Sequence, residues 1–224
     1  KEMMEDRGSL NNFEKEFLLD QMKKNGFSEK KMHYHKIWVV DEGKRFLSKI
    51  NNYINNDLLA IVVNFVDQLA HRRSESDVLK EMVPDESGYR KAVREWYDKS
   101  WIKNVLRELS SNGFYVVMTS DHGSVMVSES VSVAADKSSS DGVRYKHGTN
   151  INTSEKKALD IRDLDKYKLP ELGIRTNYLI AKDNFYFVYP NEERKYRRML
   201  EKSFQHGGIS IEEMLIPILT MRPK

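Results

Sequence analysis

Val116-Val117-Met118-Thr119-Ser120-Asp121-His122-Gly123 is an apolar run that ends abruptly in an acid, an imidazole and a glycine. It reads as a buried strand with functional groups at its carboxyl end, where open α/β sheets place their ligands. An Asp-His pair there offers one oxygen and one nitrogen ligand, a set suited to zinc or a similar divalent ion. Alone, Asp121-His122-Gly123 is a weak signal, because many turns after a strand carry such residues. Its weight depends on what the rest of the chain supplies.

Two further segments supply candidates. Residues 58–66 form a nearly continuous β-branched and aliphatic run, the pattern of a parallel strand covered on both faces. It leads into Asp67-Gln68-Leu69-Ala70-His71, whose spacing of four puts both side chains on one face of a helical turn. A capping aspartate and a surface histidine explain that pair better when it is taken by itself. Near the end, Gln205-His206-Gly207-Gly208 precedes Ile211-Glu212-Glu213-Met214 and an apolar strand at 215–219. Two glycines after a histidine let the backbone approach an ion closely, although a simple turn accounts for them as well.

The remaining pattern alternates strand and helix, which argues for an α/β fold with a mostly parallel sheet flanked by helices. Helical spacing covers 13–24 and stops at Asn25-Gly26. A short strand is expected at 38–40, either alone or with Tyr34 and Lys36 before it, then a helix capped by Asp41 with Phe46, Ile50, Tyr53 and Ile54 inward. Residues 74–83 read as loop or short helix, and 88–110 as one long amphipathic helix burying Val93, Trp96, Trp101, Val105 and Leu106. Ser, Asp and Lys dominate 124–165, so about 124–173 reads as an inserted loop or cap with a flexible tip at 137–142. Within it Arg144, Lys146 and His147 make a basic cluster well placed to line a site. A hairpin is expected across Lys182-Asp183 and a basic helix over 193–204. His33 and His35 share a strand face and receive no role.

Composition narrows the classes. The 224 residues suffice for one large α/β domain, with 39% hydrophobic and 32% charged residues, as in ordinary globular proteins. Without cysteine, disulfides are excluded and any metal site must use histidine and carboxylate. No apolar run approaches a membrane span and no secretory signal is visible, which fits a cytoplasmic protein. A net charge of +3 does not by itself argue for nucleic-acid binding.

Asp67 with His71, Asp121 with His122, and a distal His206 follow one another in an order that resembles the metal-binding signature of the alkaline phosphatase superfamily. More narrowly, the Asp-His-Gly strand end and His-Gly-Gly-Ile-Ser-Ile-Glu-Glu-Met at 206–214 resemble the PglZ domain, in particular the output domain of PorX-type response regulators linked to type IX secretion. The resemblance covers most of the chain from about Phe13. It implies that Asp67, His71 and His206 hold one zinc and that Asp121 and His122 contribute to a second. Arg144, Lys146 and His147 become contacts for a phosphate oxygen. It also implies a phosphoesterase acting on cyclic or linear oligonucleotides, a homodimer, and a receiver domain answering a sensor histidine kinase. The family's nucleophile and a further aspartate lie on a first strand ahead of the Asp-x-x-x-His segment, and nothing before Asp67 matches it. The N-terminal part of the fold and the nucleophile are therefore expected on sequence upstream of this chain, which alone would be inactive. The competing expectation is a regulatory or dimerisation module that keeps the fold and a structural metal without catalysis.

Overall fold

The computed structural model describes residues 10–135, 142–154, 156–173 and 175–224. The polar stretch before residue 10 and the expected tip at 137–141 lie outside them. In chain order the described elements begin with α1 (Glu14–Lys24), β1 (Met32–Ile37), α2 (Val40–Ser48) and β2 (Leu58–Val63). Four helices follow: α3 (Phe65–Glu75), α4 (Asp77–Met82), α5 (Glu86–Lys99) and α6 (Ile102–Ser111). Next come β3 (Val116–Thr119), β4 (Val125–Met126), β5 (Glu129–Ser132), β6 (Tyr145–Thr149), β7 (Ala158–Ile161) and α7 (Leu164–Tyr167). The chain closes with β8 (Thr176–Ala181), β9 (Phe185–Val188), α8 (Glu193–Leu200), β10 (Phe204–Gln205), α9 (Ile211–Met214) and β11 (Ile218–Met221). The α/β class expected from the alternation holds.

The strands form short ladders of both senses. β1 and β2 run parallel, from Met32 opposite Leu58 to Ile37 opposite Val63. β3 pairs antiparallel with β11, Met118 lying opposite Leu219. Ile37, Phe46, Ile50, Trp101, Val105 and Leu109 form the core beneath them, and Leu59, Ile61 and Val63 of β2 and Val116 of β3 pack against it. Both ladders therefore rest on α2 and α6.

Several local expectations change here. The first strand is Met32–Ile37, which takes in Tyr34 and Lys36 and ends before 38–40. Asp41 sits inside the first turn of α2, and the cap is built instead by Glu42, whose carboxylate reaches back to the Trp38 and Val39 N–H groups. The long helix over 88–110 is broken into α5 and α6 at Ser100, whose backbone is extended (φ −85°, ψ 169°). The Ser100 hydroxyl donates to the Tyr97 carbonyl and accepts from the Ile102 N–H, while Trp101 turns into the core over Gly43. Helical periodicity runs across such a break, so only the packing of Trp101 reveals it.

The largest difference concerns 124–173, expected as a loop or cap. That stretch carries strands that pair into sheets. β4 pairs with β10, β5 runs parallel with β9, and β6-β8-β7 form an antiparallel sheet. Val125, Val127, Val131 and Val133 fall on alternate positions and are all buried, which is the period of a half-buried strand. Ser128, Glu129, Ser130 and Ser132 between the valines mask that period in composition. β8 and β9 are not a hairpin, because each pairs with a strand from this stretch. The basic helix ends at Leu200, and Phe204 begins β10. The last strand starts at Ile218, after an extended Leu215-Ile216-Pro217.

Candidate metal centre

β2 ends at Val63 and, after Asn64 at the cap position, α3 begins at Phe65, which puts Asp67 in the first turn of a helix. A carboxylate is favoured there by the helix dipole and the free N–H groups. His71, one turn on, sits on the same face, with its Nε2 3.3 Å from Asp67 Oδ1. The reverse face of α3 packs into a core of Ala70, Val83, Tyr89 and Phe204. Tyr89 also donates its hydroxyl to the Val66 carbonyl at 2.9 Å, pinning the start of the helix. Burial pushes that phenol up to about 12.

Phe204 anchors the second contributor, because His206 follows it by two residues and reaches Asp67 Oδ1 with Nε2 at 3.7 Å. The third contributor is His122, beyond the end of β3. Its ring stacks on His206 with centroids 4.0 Å apart, and the His71 ring meets His206 edge-on at 5.6 Å. His122 Nδ1 lies 2.9 Å from the Gly123 carbonyl. Since a carbonyl only accepts, Nδ1 carries the proton, and Nε2 is the acceptor nitrogen of the neutral ring. A backbone carbonyl fixing the tautomer in this way is a usual support for a metal-binding histidine. Asp121 is exposed. One of its oxygens accepts from the His122 N–H at 3.0 Å, and the other lies 3.6 Å from His122 Nε2.

Among the described residues, Asp67, His122 and His206 place one ligand atom each within 4.8 Å of one another. Ligand atoms around a tetrahedral zinc with bonds of ~2.0 Å lie about 3.3 Å apart, so a small contraction suffices. One carboxylate oxygen with two imidazole nitrogens is a donor set that fits zinc and related ions. The electrostatics agree with that use. Hydrogen bonding to His71 holds the Asp67 carboxyl below its usual range, and His71 is raised in return. Burial, followed by the neighbouring His122, pushes His206 down and so favours its neutral form.

All five residues expected as ligands thus meet at one place, brought from α3, the end of β3 and the turn after β10. The compact trio differs from the expected grouping in holding His122 where His71 was expected. The basic cluster behaves differently. Arg144 is fully buried at the back of the His206 loop, and its donors go to Glu213 and to the carbonyls of Lys182, Asp183 and Phe185. Lys146, also buried, donates to the Tyr189 hydroxyl at 3.1 Å. His147 packs against Tyr178 within the same sheet, and burial lowers its pKa. The expected loop is strand β6, so these side chains serve the β layer rather than an open cleft.

The glycines of both motifs answer to close packing. A Cβ on Gly123 would overlap the Glu212 carbonyl oxygen, and one on Gly208 would overlap the Arg144 guanidinium. Glu213 is the residue that the sequence reading passed over. Ser210 and Glu213 form a capping box, with the Ser210 hydroxyl accepting from the Glu213 N–H and the carboxylate accepting from the Ser210 N–H. The Ser-x-x-Glu spacing before an apolar segment is the signal that would have found it.

No curated protein matches the chain. A family model does, described as the BREX system PglZ alkaline phosphatase-like domain, over residues 6–221. With nearly the whole chain covered, and with an α/β fold that gathers a carboxylate and histidines at strand ends, the chain belongs to the PglZ family of alkaline phosphatase-like domains.

Proposed function

We propose that this domain is a zinc-dependent phosphoesterase whose substrate is a phosphodiester, a cyclic or linear oligonucleotide. The convergence of Asp67, His122 and His206 from three distant segments carries the reading. His71 keeps Asp67 ionised, and the Gly123 carbonyl keeps the His122 ring in one tautomer. When bound, a divalent ion at this place supplies positive charge to a phosphoryl oxygen. Asp121 and His71, flanking the trio, are the residues we assign to a second ion.

The attacking group comes from elsewhere. The Thr119 hydroxyl donates to the Pro217 carbonyl at 2.9 Å, and the Ser120 hydroxyl donates to the His122 carbonyl. β2 and β3 rest on the same helices and deliver Asp67 and His122 to one site, yet each pairs on a single edge, with β1 and β11. A parallel strand lying between them would emerge at the trio. We assign the nucleophile to such a strand, supplied by sequence ahead of this chain as the resemblance implies. The response-regulator setting, with a receiver domain, a histidine kinase and a homodimer, is supported by that resemblance. The engaged hydroxyls also favour the second reading, a regulatory module that keeps a structural metal and does no chemistry.

The test compares this chain with one extended upstream. Zinc content is measured by mass spectrometry beside a His206→Ala variant, and hydrolysis is followed with bis(p-nitrophenyl) phosphate and a short oligonucleotide. The expected result is zinc in both chains, less in the variant, and turnover in the extended chain alone. Zinc without turnover in the extended chain selects the regulatory module. Absence of zinc from both overturns the metal reading.

A further inference from the structure

We infer that Glu213 is a positioning residue that clamps the His122 and His206 loops together and so sets the affinity of the site for its divalent ion. The inference rests on the metal reading of Asp67, His122 and His206.

Glu213 is 3% exposed and Arg144 0%. One carboxylate oxygen of Glu213 accepts from the Gly208 N–H at 2.8 Å and from Arg144 Nε at 3.0 Å. The other accepts from the Ser210 N–H at 3.0 Å and from Arg144 Nη2. The Glu213 backbone carbonyl accepts from the Gly123 N–H at 3.0 Å. A single residue therefore holds an amide next to His122 and another two positions beyond His206. The missing side chains at Gly123 and Gly208 allow both approaches, so the glycines of the two ligand motifs and Glu213 form one device.

The clamp is fastened to the β layer. Arg144 spends its remaining donors on carbonyls around the β8–β9 turn, and the Ile209 N–H donates to the Ala181 carbonyl at 2.9 Å. A buried ion pair often contributes no more stability than apolar residues of the same size. What an apolar pair lacks is directionality. Glu213 accepts in fixed directions from two backbone amides and a guanidinium, and these bonds orient the loop that carries His206. Residues that orient ligands in this way typically govern metal affinity by about 10–100-fold.

The test uses zinc affinity, by competition with a chromophoric chelator well below the melting temperature, in Glu213→Gln, Glu213→Asp and Leu179→Ala. Glu213→Gln removes the charge. Glu213→Asp keeps the charge opposite Arg144 but shortens the reach to Gly208 and Ser210, so it serves if the glutamine variant does not fold. Leu179→Ala is a control that loosens the β layer away from the ligand loops. The clamp predicts affinity lower by about 10–100-fold in both Glu213 variants and near wild type in Leu179→Ala. Equal losses in all three, or no loss in a folded Glu213 variant, overturn it. Amide exchange of the metal-free protein separates the two ideas. Gly123 and Gly208 should both lose protection in the Glu213 variants, although the side-chain change touches only the Gly208 bond directly. If wild type binds no zinc while that joint loss is seen, the clamp stands and the metal reading falls. If zinc binds and Gly123 keeps its protection, the clamp falls and the metal reading stands.

Discussion

The two halves of this molecule treat their sheets differently. In the β layer made by β5–β9 and β6-β8-β7, Val131, Val133, Ile151, Leu179 and Ala181 are each 0% exposed, closed in from every side. In the helix-backed half, Val116 of β3 packs on the core of α2 and α6, while Val117 and Ile218 on the opposite face of the β3–β11 ladder stand open, 63% and 70% exposed. Leu215 and Met214 beside them are exposed as well. β3 and β11 run antiparallel, and such a pair can leave one face to solvent, but that face is normally polar, whereas Val117 and Ile218 are apolar. The first region is finished as it stands, and the second keeps an open apolar face. The candidate metal site lies where they meet, with Asp67 and His122 carried by the open half and the His206 loop fastened to the finished one.

That contrast makes measurable claims, the largest at the fastening point. Arg144→Leu leaves Glu213 buried without its partner and should cost about 3–5 kcal/mol, read as a lower midpoint in urea unfolding. Pairing it with Glu213→Met should recover most of that stability while zinc affinity stays weak. Recovery of both would mean that the pair does nothing beyond filling space. Within the finished layer, Leu179→Ala should cost about 2–5 kcal/mol, whereas Val117→Ala on the open face should stay within about 0.5 kcal/mol. The comparison is sharpened by repeating Val117→Ala in the upstream-extended protein, where a covered face would turn it into a core substitution. An unchanged small effect there would show that the open face is solvent surface by design.

The smallest effect is in the pH dependence. Burial pushes the Glu213 carboxyl up, but Arg144 and the amides of Gly208 and Ser210 together outweigh it and hold it below the usual carboxylate range. A carboxyl lowered on folding contributes stability that is complete above its unfolded pKa and lost as pH falls through the folded one. Thermal melting should therefore be flat near neutrality and decline below about pH 4.5, less steeply in Glu213→Gln. A variant that declines just as steeply would place the acid sensitivity in other carboxylates.

Much of the site could be read in advance. The strand ends before Asp67 and His122 and the His-Gly-Gly segment are local patterns, and Asp67 and His71 at a spacing of four require only that a helix follow β2. What eluded reading came from competition between periods and contacts. The valines of 125–133 alternate, but three serines and Glu129 between them gave the segment the composition of a loop. Trp101 broke a helix whose spacing ran straight through it. Arg144 looked like a surface cation because its partner, Glu213, lies 69 residues away.

By itself the sequence determined the α/β class, the two apolar strands with candidate ligands beyond their ends, and the chemical set of carboxylates and imidazoles; that β2 and β3 stay partly exposed rather than buried it did not show. These follow from periodicity and residue type over a few neighbouring positions. Only the tertiary structure decided which histidine completes the compact trio, that the basic cluster is buried in a sheet, and that Glu213 holds both ligand loops. Those outcomes depend on directional bonds between segments far apart in the chain, and such bonds leave no periodic trace along it.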